Sequence, residues 1–142
     1  MQVKVRNIKG MHFEGEGQSK IRTQIDSSVT NGGSGIGSSP MEMVLMAIAG
    51  CSGMDVVSIL EKMRIHYQRF EITVQGDRAA EHPRVFTDIE VEYQFWGEGL
   101  EEEHVQQNLK RAIDLSVEKY CSVANMIDKV ANLTYKLEIN PK

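Results

Sequence analysis

The stretch SPMEMVLMAIAGCSGMDVVSIL, from Ser39 to Leu60, decides how this chain folds. Ser39 offers a hydroxyl at an N-cap, Pro40 suits the first helical position, and Glu42 follows the cap by three residues. That pattern is a capping box, and it predicts a helix running to about Arg64. The apolar residues of this helix do not keep to one stripe. Met41, Val44, Leu45, Ile48 and Ile59 cover one side; Met43, Met46, Ala47, Met54 and Val57 cover the other. A helix that is apolar all round has to be covered all round. One small sheet cannot do that, so the helix predicts an obligate homodimer.

The flanking segments read as strands. Val3 and Val5 alternate with Gln2, Lys4 and Arg6, Gly10 turns the chain, and His12 to Glu14 return it. Ile21, Thr23 and Ile25 alternate with Lys20, Arg22 and Gln24. Residues 26–39, DSSVTNGGSGIGSS, read as a mobile loop. Its glycines lack a following Lys-Ser or Lys-Thr, so no phosphate cradle is expected there. Beyond the long helix, Phe70, Ile72 and Val74 form one alternating run; Ile89, Val91, Tyr93 and Phe95 form a second, with an acidic opposite face. One solvated face suggests an antiparallel sheet. Glu101, Glu102 and Glu103 suit the positive end of a second helix. Its apolar face runs from Val105 through Leu109, Ile113, Val117 and Tyr120 and continues to Val130. Leu133, Tyr135, Leu137 and Ile139 close the chain as a strand. This order predicts an α+β fold in a single domain, residues 1–142.

Composition narrows the function. The chain has 142 residues and a formal net charge of −4. It has no basic tract, which argues against nucleic acid as a partner. The N-terminal residues alternate like a strand and lack the apolar core of a signal peptide. The charge-free run of the long helix extends only from Met43 to Met54, short of the ~20 residues a bilayer requires. No membrane partner is therefore expected, and the protein is placed in the cytoplasm. Thiols stay reduced in that compartment, so Cys51 and Cys121 are expected to be free or catalytic.

Those two cysteines are the main chemical signal. Cys51 lies about three turns into the long helix, beyond the reach of the dipole at its start. Asp55, one turn on, would disfavour a thiolate, so the local residues favour a packed thiol. Asp55 itself needs a partner: Ser58, Ser52 or a neighbouring strand, or else a role facing Cys51. If the second helix breaks between Tyr120 and Ser122, Cys121 stands at a new helix start, which would lower its pKa. The four histidines share no metal-ligand spacing and no CxxC is present, so neither metal nor cofactor is expected.

Pro40-Met41-Glu42 opening an apolar, cysteine-bearing helix, with EKYCSV (Glu118 to Val123) on a second helix, resembles the OsmC/Ohr family of osmotically induced and organic-hydroperoxide-resistance proteins. The resemblance covers nearly the whole chain and points to the less characterised OsmC-like branch. It implies antiparallel sheets wrapped around two central helices in an intertwined homodimer. It also implies a two-cysteine thiol peroxidase for organic hydroperoxides. Cys51 would attack and become a sulfenic acid, Cys121 would resolve it as a disulfide, and an unidentified dithiol would reduce that bond. Family peroxidases set an arginine and a glutamate beside the reactive thiol. Here the matching positions are Met11 and Met41, which would line the pocket instead. Glu42 lies one residue on, about 100° around the helix. Arg6, Arg22 or Lys20 could replace the arginine, with Glu42 and Asp55 as supporting acids. Two other readings stay open: a non-catalytic dimer binding an apolar small ligand, and a thiol redox sensor.

Overall fold

The computed structural model describes residues 1–142 and separates into two compact units, Met1–Val44 and Leu45–Lys142. The first unit is an antiparallel sheet of β1 (Lys4–Lys9), β2 (His12–Glu16) and β3 (Arg22–Ile25), in that order. Gly10 makes the β1–β2 turn at φ 57°, a region glycine enters without strain.

The loop after β3 carries bonds that its composition does not suggest. Asp26 is buried, and its carboxylate accepts the N–H groups of Ser27 (2.7 Å), Ser34 (3.0 Å) and Ile36 (3.3 Å). A short 3-10 turn, Val29–Asn31, lies inside this arc. Gly37 passes so close to β3 that an added Cβ would lie 2.4 Å from the Gln24 carbonyl. These glycines admit backbone against backbone.

Helix α1 spans Pro40–Met63. Its start is the capping box: the Ser39 N–H donates to Glu42 Oε2 (2.7 Å), and the Glu42 N–H donates to Ser39 Oγ (3.3 Å). Its end is an αL cap, with Arg64 at φ 58° and the Ile65 N–H bonded to the Leu60 carbonyl at 3.0 Å. Ile48, Ser52, Val56 and Leu60, each four residues from the next, form the buried stripe. The rest is poorly covered by its own chain: Met46 is 54% and Met54 73% exposed. By length and composition alone α1 could cross a membrane, with a mean hydropathy of 2.0 in its most apolar window. The charge-free run understated this, because a span tolerates one charge such as Asp55. The fold uses α1 differently. Ser52 bonds to a strand and to a second helical segment, which makes α1 a helix laid on a sheet.

The second sheet has the order β4 (Arg69–Arg78), β5 (Phe86–Trp96), β6 (Asn132–Ile139). β4 and β5 are antiparallel, with Val74 opposite Val91. β5 and β6 are parallel, with Tyr93 opposite Leu137. This corrects the expectation of purely antiparallel sheets. The connection from β5 to β6 carries all the remaining helical residues, and so long a crossover returns the chain to the end where β5 began. β5 is the central strand, and Ile89, Val91, Tyr93 and Phe95 are each at most 1% exposed. With Leu109, Ala112 and Ile113 from the crossover and the α1 stripe, they form the core.

The crossover is broken rather than continuous. α2 spans Glu103–Leu115, a π-helical segment spans Ser116–Tyr120, and α3 spans Ser122–Ile127. The apolar period read through to Val130 therefore does not mark one helix, and Met126 and Val130 are exposed. The fold is α+β, with two sheets and three helices.

Candidate functional site

The break in the crossover is what places Cys121. In the π segment each turn holds an extra residue, and the turn closes with the Cys121 N–H on the Ser116 carbonyl at 2.7 Å. Cys121 then turns extended (φ −70°, ψ 102°) and becomes the N-cap of α3, its Sγ accepting the Ala124 N–H at 3.3 Å. The Asn125 amide pins the corner by donating to the Cys121 and Val117 carbonyls. Opposite, Cys51 and Asp55 stand one turn apart on α1. Cys51 Sγ, Cys121 Sγ and an Asp55 carboxylate oxygen all lie within 4.8 Å of one another. Both cysteines are free thiols; Cys51 is half-buried and Cys121 fully buried.

A buried hydroxyl network supports this cluster. Ser52 Oγ lies 2.5 Å from the Tyr93 hydroxyl and 2.9 Å from Ser116 Oγ, and Ser116 Oγ donates to Asp55 Oδ2 at 3.2 Å. The sequence offers Ser58, Ser52 or a strand as the partner of Asp55; the structure shows a different one. Asp55 faces Cys51, and its partner is Ser116, a residue the sequence reading did not name. Ser52, Ser116 and Tyr93 were all missed as site residues. Ser52 had left a signal: it falls on the i, i+4 stripe of Ile48, Val56 and Leu60, where a polar atom must find a partner.

Electrostatics here run against the sequence expectation. Cys121 does stand at a helix start, yet its thiol is pushed up to about 11. Burial is the main cause, and the thiol of Cys51 and the charge of Asp55 add to it. The Ala124 N–H works the other way and is outweighed. Tyr93 is likewise raised, to about 12, chiefly by burial.

The other sequence candidates belong to the first unit and have partners there. Arg6 pairs with Glu14 at 2.9 Å, and Arg22 lies 3.7 Å from Glu14 and 3.8 Å from Glu16. Lys20 reaches Glu16 at 3.4 Å. Glu42 is held in the capping box, and the Ser39 N–H keeps its carboxyl below the usual range. Met11 is exposed, and Met41 is half-buried in the first turn of α1. On the second unit, Ala49, Gly53, Met54 and Val57 of α1 face Phe70 and Ile72 of β4 across an open apolar trough of about 590 Å³.

A half-buried thiol and a buried one, meeting beside a carboxylate on an α+β frame, define a helix-borne dithiol protein. Comparison with known proteins makes this specific. The profile of the OsmC family, described as OsmC-like protein, matches residues 32–136, and the chain belongs to that family. Protein YhfA of Escherichia coli is 43% identical over 140 residues, covering 98% of each chain. A hypothetical protein from Aquifex aeolicus is 27% identical, with a TM-score of 0.79 over 99% of this chain and 97% of its own. An organic hydroperoxide resistance protein OsmC from Legionella pneumophila, also described as a predicted redox protein, is 14% identical. It superimposes with a TM-score of 0.69 over 96% of this chain and 95% of its own, a likeness of fold alone.

Proposed function

We propose that this OsmC-family protein is a two-cysteine thiol peroxidase for organic hydroperoxides, acting as one functional domain in a reducing cytoplasm. The observation that carries this reading is the approach of Cys51 Sγ and Cys121 Sγ to within 4.8 Å. Cys51 is the more accessible and is the attacking group. Its thiolate sulfur takes the distal peroxide oxygen; the O–O bond breaks and the alkoxide leaves as alcohol after taking a proton. Cys121 then attacks the sulfenic sulfur. The S–O bond breaks, water leaves, and a disulfide remains. A dithiol reductant returns the pair to thiols by exchange.

Met11 and Met41 in place of the activating arginine and glutamate, with Asp55 beside the thiols, make this a slow enzyme. That also suits a redox sensor, which needs only occasional oxidation. The discriminating experiment titrates the reduced protein with cumene hydroperoxide and follows it by mass spectrometry. Wild type should lose two hydrogens as an intramolecular bridge forms, and Cys51→Ser and Cys121→Ser should each abolish it. Separate overoxidation of the two thiols would remove the resolving role of Cys121. Met11→Arg with Met41→Glu, restoring the residue types of the family peroxidases, should accelerate oxidation of Cys51.

We further propose that the working form is a homodimer, joined over the apolar side of α1. Only 28% of the most apolar window of that helix is buried by its own chain. A second copy would also cover the trough beside β4. Sedimentation at micromolar concentration should give twice the chain mass, and a well-folded monomer would overturn this reading.

A further inference from the structure

We propose that the reduced Cys51–Asp55–Cys121 cluster is a binding site for a thiophilic divalent cation, Zn²⁺. The donor set is two thiolates and one carboxylate, supplied from the middle of α1 and from the joint between the π turn and α3. Sulfur ligands select zinc over magnesium or calcium, which take all-oxygen shells. Zn–S bonds of about 2.3 Å and Zn–O bonds of about 2.1 Å in tetrahedral geometry put ligand atoms about 3.5 to 3.8 Å apart. The three atoms already lie within 4.8 Å, so side-chain rotation of about 1 Å closes the set. Three protein ligands leave a fourth position open to water or to an external thiol.

The surroundings favour such a guest. Ser116 Oγ donates to Asp55 Oδ2, which is how zinc-binding carboxylates are usually oriented from behind. A dication placed among the three donors would neutralise the negative charge they gather. It displaces the thiol protons and holds both sulfurs as thiolates. This inference concerns the reduced pair and stands whether or not the pair turns over peroxide.

The test uses the reduced full-length chain under argon. Co²⁺ is titrated first as a spectroscopic stand-in, then Zn²⁺ in competition with a chromophoric chelator. One ion per chain is expected, with a thiolate-to-cobalt charge-transfer band that Zn²⁺ abolishes. At neutral pH, uptake should release protons. Cys51→Ser and Cys121→Ser should each weaken binding at least a hundredfold, and Asp55→Asn about tenfold or more. Should a cysteine variant fold poorly, wild type still decides: bound Zn²⁺ should protect Cys51 from iodoacetamide. Absence of the charge-transfer band, or affinity unchanged by the cysteine variants, would overturn the site. Metal binding and peroxide-driven bridging are scored in separate experiments, so either can fail without the other.

Discussion

The two cysteines sit on helices built in opposite ways. α1 is a single run of 24 residues, with a side-chain box at one end and an αL cap at the other. Cys51 lies in its middle, where the backbone offers a thiol nothing. The second cysteine-bearing segment is α2, a π turn and a six-residue α3, and Cys121 stands at the joint with an N–H aimed at its sulfur. By backbone alone Cys121 should be the activated thiol. It is the suppressed one, because full burial outweighs a single N–H from so short a helix. Local backbone context predicts an activated Cys121, and burial reverses that expectation.

The contrast is broken or sharpened most strongly at high pH. Cys121 is raised from 9.0 to about 11 and Tyr93 from 10.0 to about 12. Both are neutral in the native state, so the stability they contribute is complete below pH 9. It falls as pH rises: the unfolded chain ionises first, and the loss is complete once the native pKa is passed. For Tyr93 a shift of two units corresponds to about 3 kcal/mol, and the Cys121 contribution has the same sign. Guanidinium midpoints should therefore drop between pH 9 and 12. Cys121→Ala should remove the lower part of the drop. Tyr93→Phe should shrink the upper part, to which Tyr135, raised to about 12 by its bond to Asp114, also contributes. A flat profile across this range would mean that the joint of the crossover is wet.

Alkylation kinetics at pH 7 probe the same difference with a smaller effect. A thiol of pKa about 11 is ionised in about one molecule in ten thousand. Iodoacetamide should label half-buried Cys51 well before fully buried Cys121, as read by peptide mass spectrometry. Equal rates would show that the Ser116–Tyr120 segment opens readily and that the structural contrast does not survive in solution.

Much of this was legible in the residues. The capping box gave the start of α1, strict alternation gave β4 and β5, and the paired cysteine contexts gave the family. What failed did so where a residue's role depends on distant chain. Ser116 reads as an unremarkable position on an amphipathic helix, and only the packing of α1 makes it the partner of Ser52 and Asp55. The parallel pairing of β6 was hidden because alternation fixes which face is buried but says nothing of direction. The loop after β3 reads as mobile from its glycines, because sequence does not show that Asp26 gathers three of its N–H groups. The break at Cys121 is one the sequence allows. Its electrostatic consequence was inverted because burial is not a local property.

The smallest expected effect concerns how the two helices begin. At α1 the Ser39 side chain satisfies an N–H of the first turn, and Glu42 satisfies the N–H of Ser39 in return. At α2 the capping position is Glu102, whose side chain makes no capping bond. Ser39→Ala should thus cost about 1 kcal/mol, the usual loss on removing a capping hydroxyl. Glu102→Ala, a surface change with no cap to lose, should stay within about 0.5 kcal/mol of wild type. Glu42→Gln is the finer probe, because an amide oxygen can still accept from the Ser39 N–H. It should cost less than Ser39→Ala and leave peroxide-driven bridging of Cys51 and Cys121 at its wild-type rate. If Glu42→Gln kept its stability but lost the bridging reaction, the carboxylate would be serving the thiol across the dimer or the fold. The capping box would then be only a second use of the same residue.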